Sequence, residues 1–261
     1  MSDTGAKATG RAAPAAVLPL FFRQIEALDS VRHRRLRLKV RESHAFARAS
    51  NAIPLTFSEI PRASQEYPIV FAGEGERLHL VALVGLTDGT NLFVGKDGRW
   101  QGRYVPAYLR CFPFALGRAG GAAENPLLVA LDPSADTISE TEGAALFNDR
   151  GERSTVLDKT IEFLRQYEAQ MELARKFAKK VAELDLLVSV NADVRLKSGA
   201  KFEMSGLRVV ERGALHRARL LGPELLRLLD RLLVQPLVVG HRTDVCLGRE
   251  RLGRRKHAGF L

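Results

Sequence analysis

Cysteine is nearly absent from this chain of 261 residues, with Cys111 and Cys246 the only two. A pair of widely separated thiols makes neither a metal quartet nor a disulfide framework, so both are expected to be free. Long apolar runs are missing too. No window approaches the roughly 18 uninterrupted apolar residues that a membrane-crossing helix needs. The stretch Val17–Phe22 is too short for a secretory signal, carries Pro19 within it and ends at Arg23 without a small-residue cleavage site. These absences predict a soluble, cytoplasmic protein, with cell-surface association as the alternative.

Catalytic signatures are equally scarce: there is no dinucleotide fingerprint, nucleophile elbow or zinc-protease helix. Gly89 to Asp97 is superficially like a phosphate-binding loop, but one residue too many separates Gly89 from Gly95, and Asp97 stands where Ser or Thr would hold magnesium. His241, Asp244 and Cys246 form a compact polar group that no regular geometry collects. A strand puts 244 and 246 on one face, whereas a helix makes neighbours of 241 and 244. His44 and His79 lack a second ligand at metal-binding spacing, so no metal and no cofactor is expected. Ser58, Glu59 and Glu66, or Glu74 and Glu76, offer polar groups beside turns and are read as ordinary surface acids.

Charge is what the chain has in excess. Lys and Arg number 40 against 30 Asp and Glu, a formal net charge of +10. The surplus collects at Arg32–Arg41, Arg208–Arg231 and Arg249–Lys256. No nucleic-acid module accompanies it, so it is read as solvated surface without a specific nucleic-acid partner. Over Arg35–Arg41, basic and apolar residues alternate, which predicts a strand with Leu36, Leu38 and Val40 inward and four cations outward.

The order of elements predicts an α+β fold. Phe57–Gln65 reads as a short helix or turn. Apolar runs at 69–72, 79–86 and 92–94, with Asp88-Gly89 and Asp97-Gly98 as hairpin turns, predict an antiparallel meander. Strands at 114–117 and 127–131 extend it, giving a β-rich block over 36–131. Thr155 to Leu187 reads as one long helix, with Leu164, Tyr167, Met171, Ala174, Ala178 and Val181 forming an apolar stripe and Thr155 with Asp158 in a capping-box-like start. A smaller C-terminal α+β part is expected over 188–247: short strands at 186–190, 194–196 and 207–210 as a second layer, and a helix from Pro223 to Leu233. Residues 1–16 are expected to form a disordered tail, 17–247 one domain, and 248–261 a basic tail.

The densest stretch runs from Trp100 to Phe114, where five aromatic rings sit among two prolines and two arginines. It predicts a rigidly packed nucleus that displays Trp100, Tyr104, Tyr108 or Arg110 as binding residues. With Ala52-Ile-Pro-Leu-Thr, Tyr67-Pro-Ile-Val-Phe, Leu83–Val94 and Asp97-Gly-Arg-Trp, this block closely resembles the SapC family of bacterial proteins, over roughly Leu18–Leu233. The resemblance implies an accessory protein of surface-layer or outer-envelope systems, with a protein or envelope component as partner. It assigns no reaction and gives His241 no role. A non-enzymatic binding module is therefore the expected function, the alternative being an enzyme acting on a small metabolite, carbohydrate or peptide in an aromatic-lined pocket.

Overall fold

The computed structural model describes residues 18–118, 127–195 and 201–211, with Arg227 and the pair 245–246. In chain order these residues form β1 (Glu26–Ala27), β2 (Arg37–Leu38), β3 (Ala52–Pro54), α1 (Ile60–Ala63), β4 (Ile69–Ala72) and β5 (His79–Leu83). Then come α2 (Ala107–Cys111), β6 (Phe114–Arg118), β7 (Leu127–Leu131), β8 (Ile138–Ser139) and β9 (Ala144–Ala145). The long helix α3 (Thr155–Glu183) is followed by β10 (Leu187–Arg195), β11 (Lys201–Val210) and β12 (Val245–Cys246). The fold is α+β.

The largest sheet has six strands in the order β12-β10-β11-β4-β5-β3, every pair antiparallel. Its central hairpin, β4–β5, has both faces covered. Ile69, Phe71, Leu80 and Ala82 join one core with Ala174, Phe177, Ala178 and Val181 of α3, while Val70, Val81 and Leu83 pack with Leu86 and Met204 on the other. A strand buried on both sides cannot show a polar face, which is why Ile69–Ala72 and Leu80–Leu83 read as continuous apolar runs.

Two smaller three-stranded sheets, β1-β7-β6 and β8-β2-β9, lie against the first half of the long helix. There Leu157, Ile161, Leu164 and Tyr167 pack with Phe114, Leu131, Leu146 and Phe147. At 29 residues, α3 is about 44 Å long, enough to serve both cores. All the expected stripe residues face inward, with Met171 partly covered.

Several expectations are corrected. The basic strand shrinks to Arg37–Leu38, and Val40 is 86% exposed, because the chain leaves the sheet after Leu38. Residues 92–94 form no strand; a single bridge joins Val94 to Trp100 across the Asp97–Gly98 turn, where Gly98 has φ 82. The helix is capped by Ser154, whose side chain accepts from Leu157 N, and it ends at Glu183 before Asp185 turns at φ 51. β10 and β11 form no second layer: they are one long hairpin joined to the main sheet where Arg208 pairs with Phe71. The 1–16 tail, the 197–200 turn, the 223–233 helix apart from Arg227, His241, Asp244 and the 248–261 tail lie outside the described residues.

Candidate functional site

Trp100 is half-buried, stacked on Phe93 at 5.7 Å and 5.8 Å from His44. Its Nε1–H donates to the Tyr104 carbonyl at 3.0 Å and to Tyr67 Oη at 3.1 Å. The rings of Tyr108 and Phe112 pack elsewhere: Tyr108 on Phe21 and Tyr167, and Phe112 on Phe46 and Phe22. Gly102 makes the Trp100–Tyr67 contact possible. A Cβ there would stand 2.5 Å from Tyr67 Oη and 2.7 Å from Trp100 Nε1.

Two of the acids read as ordinary surface groups are structural. Glu59 is 4% exposed, and its Oε2 accepts from Thr56 N and Thr56 Oγ1 at 2.8 Å each. Its Oε1 accepts from Tyr104 Oη at 2.8 Å and from Ala107 N at 2.6 Å. One carboxylate thus closes a capping box and satisfies the first donor of α2. Glu66 accepts from the amides of Arg103 and Tyr104 at 2.6 and 2.9 Å. Burial, together with Glu59, raises the Tyr104 phenol above the usual tyrosine range. Arg110 is exposed and lies over the rings of Tyr104 and Phe163, at 5.9 and 5.0 Å.

A cleft of about 600 Å³ opens where the segment before β1, the loop after β2, the end of α2 and the loop after β7 meet. One wall is aromatic: Phe21, Phe46 and Phe112, with Phe46 stacked on Phe112 at 4.4 Å and Phe21 edge-on to Phe46 at 5.3 Å. Of the Trp100–Phe114 block, Phe112 lines this cleft, and Tyr108 supports it from behind by donating to the Leu20 carbonyl at 3.1 Å. The supported turn sets Phe21 at φ 78, a left-handed conformation disfavoured for any residue with a side chain.

Arg41 lies across this wall, its guanidinium 5.0 Å from the Phe46 ring and 5.6 Å from that of Phe112. It donates one hydrogen bond, to the Phe112 carbonyl, and forms no ion pair with any described residue. Burial lowers its pKa to about 10, so it stays cationic at neutral pH.

Asp132 also lines the cleft and is 1% exposed. Its Oδ2 accepts from the amides of Arg23 and Gln24 at 2.7 and 3.3 Å; its Oδ1 accepts from Ser134 N and Oγ at 2.9 and 2.6 Å. Burial alone would raise its pKa, but the Ser134, Arg23 and Gln24 bonds outweigh that and hold it below the ordinary aspartate value. Thr137, also lining the cleft, buries its Oγ1 without a partner.

The remaining candidates are accounted for singly. Cys111 is a free buried thiol, pushed by burial to about 12. Cys246 is described through its backbone, which pairs with Asp193. Burial first, and then the charge of Arg41, lowers His44 to about 4, and its Nδ1 has no partner. His79 Nδ1 donates to the Arg77 carbonyl at 2.7 Å. Glu74 pairs with Arg208 and Glu76 with Lys179. No group of three or more His, Cys, Asp or Glu placed to hold a metal occurs among the described residues, and none of their helices is long and apolar enough to cross a membrane.

Antiparallel sheets around one long helix, with an aromatic and arginine cleft at the junction of the smaller sheets, define an α+β protein. The SapC family model matches residues 28–238, and the chain belongs to that family. No curated protein and no solved structure matches it.

Proposed function

We propose that this SapC-family chain is a non-enzymatic binding module, an accessory component of a surface-layer or outer-envelope system as its family resemblance implies, working in the cytoplasm. Its ligand enters the cleft bounded by Phe21, Phe46, Phe112 and Arg41. The observation that carries this reading is the make-up of the cleft: rings and a desolvated cation, the combination that holds a ligand by area and orients it by charge. Of the cleft-lining groups with displaced pKa values, Asp132 is held below the ordinary aspartate value and Arg41, at about 10, stays cationic, so neither exchanges a proton readily at pH 7.

A ligand screen by thermal shift tests the reading, run on the wild type and on Val40→Trp, which enlarges an exposed residue of the cleft rim. Ligands are expected to stabilise the wild type, to lose effect on Val40→Trp and to be recovered unchanged. Turnover of a bound compound would favour the enzyme reading instead.

A second reading places a protein or envelope partner on the face of Tyr104 and Arg110, with Trp100 and Tyr108 as support. The exposed Arg110 guanidinium stacked on two rings favours it, since arginine on aromatic surface anchors many interfaces. Arg110→Ala would abolish partner capture while leaving cleft ligands bound.

A further inference from the structure

Resting on the cleft as a binding site, we infer that its ligand is a small organic monoanion, a carboxylate on an apolar or ring-shaped body, with Arg41 holding the carboxylate and Phe21, Phe46 and Phe112 receiving the body. The inference starts from an imbalance in Arg41. A guanidinium presents five donors, and here one is used, by the Phe112 carbonyl. A half-buried cation whose partners are one carbonyl and two ring faces still lacks a counter-charge, and burying it without one is unfavourable. A carboxylate matches the planar fork with paired charge-assisted hydrogen bonds.

The acids nearby do not answer it. Asp132 has four donors on its two oxygens, from Arg23, Gln24 and Ser134, so its accepting capacity is taken. Glu142 stands 4.0 Å from Lys39 in an ion pair. Glu42 and Asp136 are exposed, where water screens them.

The same acids set the charge of the ligand. Arg23, Lys39 and Arg41 face Glu42, Asp132, Asp136 and Glu142 around the cleft, so the lining as a whole is slightly acidic. Arg41 offers one unpaired cationic fork at short range, enough to neutralise one carboxylate, and a lining with no net positive charge supplies nothing to answer a second. The apolar body follows from the wall. The Phe46–Phe112 stack and the edge-on Phe21 form an apolar wall against which a ring or an alkyl chain can lie.

Calorimetric titration with 3-phenylpropionate, its neutral amide 3-phenylpropionamide and phenyl phosphate tests this on the wild type, Arg41→Gln and Arg41→Lys, each checked for unchanged melting. The wild type is expected to prefer the acid over the amide by about tenfold or more, the scale of hydrogen bonds to a charged group, and to bind phenyl phosphate more weakly than the acid. Arg41→Gln should equalise acid and amide, and Arg41→Lys should keep part of the preference. Equal binding of acid and amide by the wild type, a preference that survives in Arg41→Gln, tighter binding of phenyl phosphate, or no binding of the acid at millimolar concentration would each overturn the inference. If neutral or cationic compounds from the screen are lost in Val40→Trp, the cleft remains a binding site and the monoanion alone is wrong; if nothing binds there, the reading beneath it fails as well.

Discussion

Replacing Glu59 by Gln preserves shape and alters one atom, and the structure fixes the consequence. Oε1 faces Tyr104 Oη and Ala107 N, while Oε2 faces Thr56 N and Thr56 Oγ1. Whichever way the amide turns, its NH₂ confronts one hydroxyl and one backbone N–H. The hydroxyl can rotate and accept. The backbone amide cannot, so one buried donor is orphaned and the charge-assisted bonds are lost, together costing about 3 kcal/mol. For a chain of this size that lowers the melting temperature by about 9 °C. Urea unfolding followed by far-ultraviolet circular dichroism measures the first figure and calorimetry the second. Tyr104→Phe completes a double-mutant cycle, expected to show a coupling of about 1 kcal/mol. A loss below about 1 kcal/mol for Glu59→Gln, or strict additivity with Tyr104→Phe, would refute the claim that this carboxylate ties α1 to the aromatic block.

Trp100→Ala should cost about 3 kcal/mol, the lower edge for large aromatic truncations because the ring is half-buried; Trp100→Phe should cost about 1 kcal/mol for the bonds to Tyr67 and Tyr104, both read by urea unfolding. His44 has a folded-state pKa near 4, below its ordinary 6.5, so its stabilising contribution is full above pH 6.5 and is lost as the pH falls toward 4. The urea midpoint of the wild type should therefore drop more steeply across that window than that of His44→Gln, and superimposable profiles would contradict this. In a Cys246→Ser background, Cys111 should resist a thiol reagent at pH 8 until the protein is unfolded, because the thiol is buried and its pKa is about 12. Ser154→Ala should remove about 1 kcal/mol, the usual weight of an N-cap, measured by thermal melting.

The sequence carries the parts of this fold whose periodicity is local. The stripe from Leu164 to Val181 is legible because each residue packs inward on a helix whose own period sets the spacing. The β4–β5 hairpin is legible as two apolar runs. The six-stranded sheet is harder, since β11 reaches β4 through the single register Arg208 with Phe71, a long-range pairing that leaves no local mark. Arg35–Arg41 misleads for a related reason: alternation satisfies the strand pattern, yet the chain pairs only at Arg37 and Leu38 and then turns to place Arg41 over Phe46 and Phe112.

That departure also hid the cleft. Trp100–Phe114 announces itself by composition, but Trp100 is held by Tyr67 and Tyr104 by Glu59 and Glu66 inside the fold, and Phe112 alone among its rings lines the cavity. The rest of that wall comes from Phe21, Phe46 and Arg41, each unremarkable in its own stretch. Composition finds rings; it does not tell scaffold from lining. The division has a physical consequence, because the scaffold groups sit in cores served by α3, whereas Val40 and Arg41 lie on the loop after the two-residue strand β2. Substitutions at Glu59 or Trp100 should therefore lower stability with little selectivity among ligands. Those at Val40 or Arg41 should change which ligands bind while melting stays near that of the wild type, and a matching loss of stability at both sets would mean that cleft and scaffold are one structural unit.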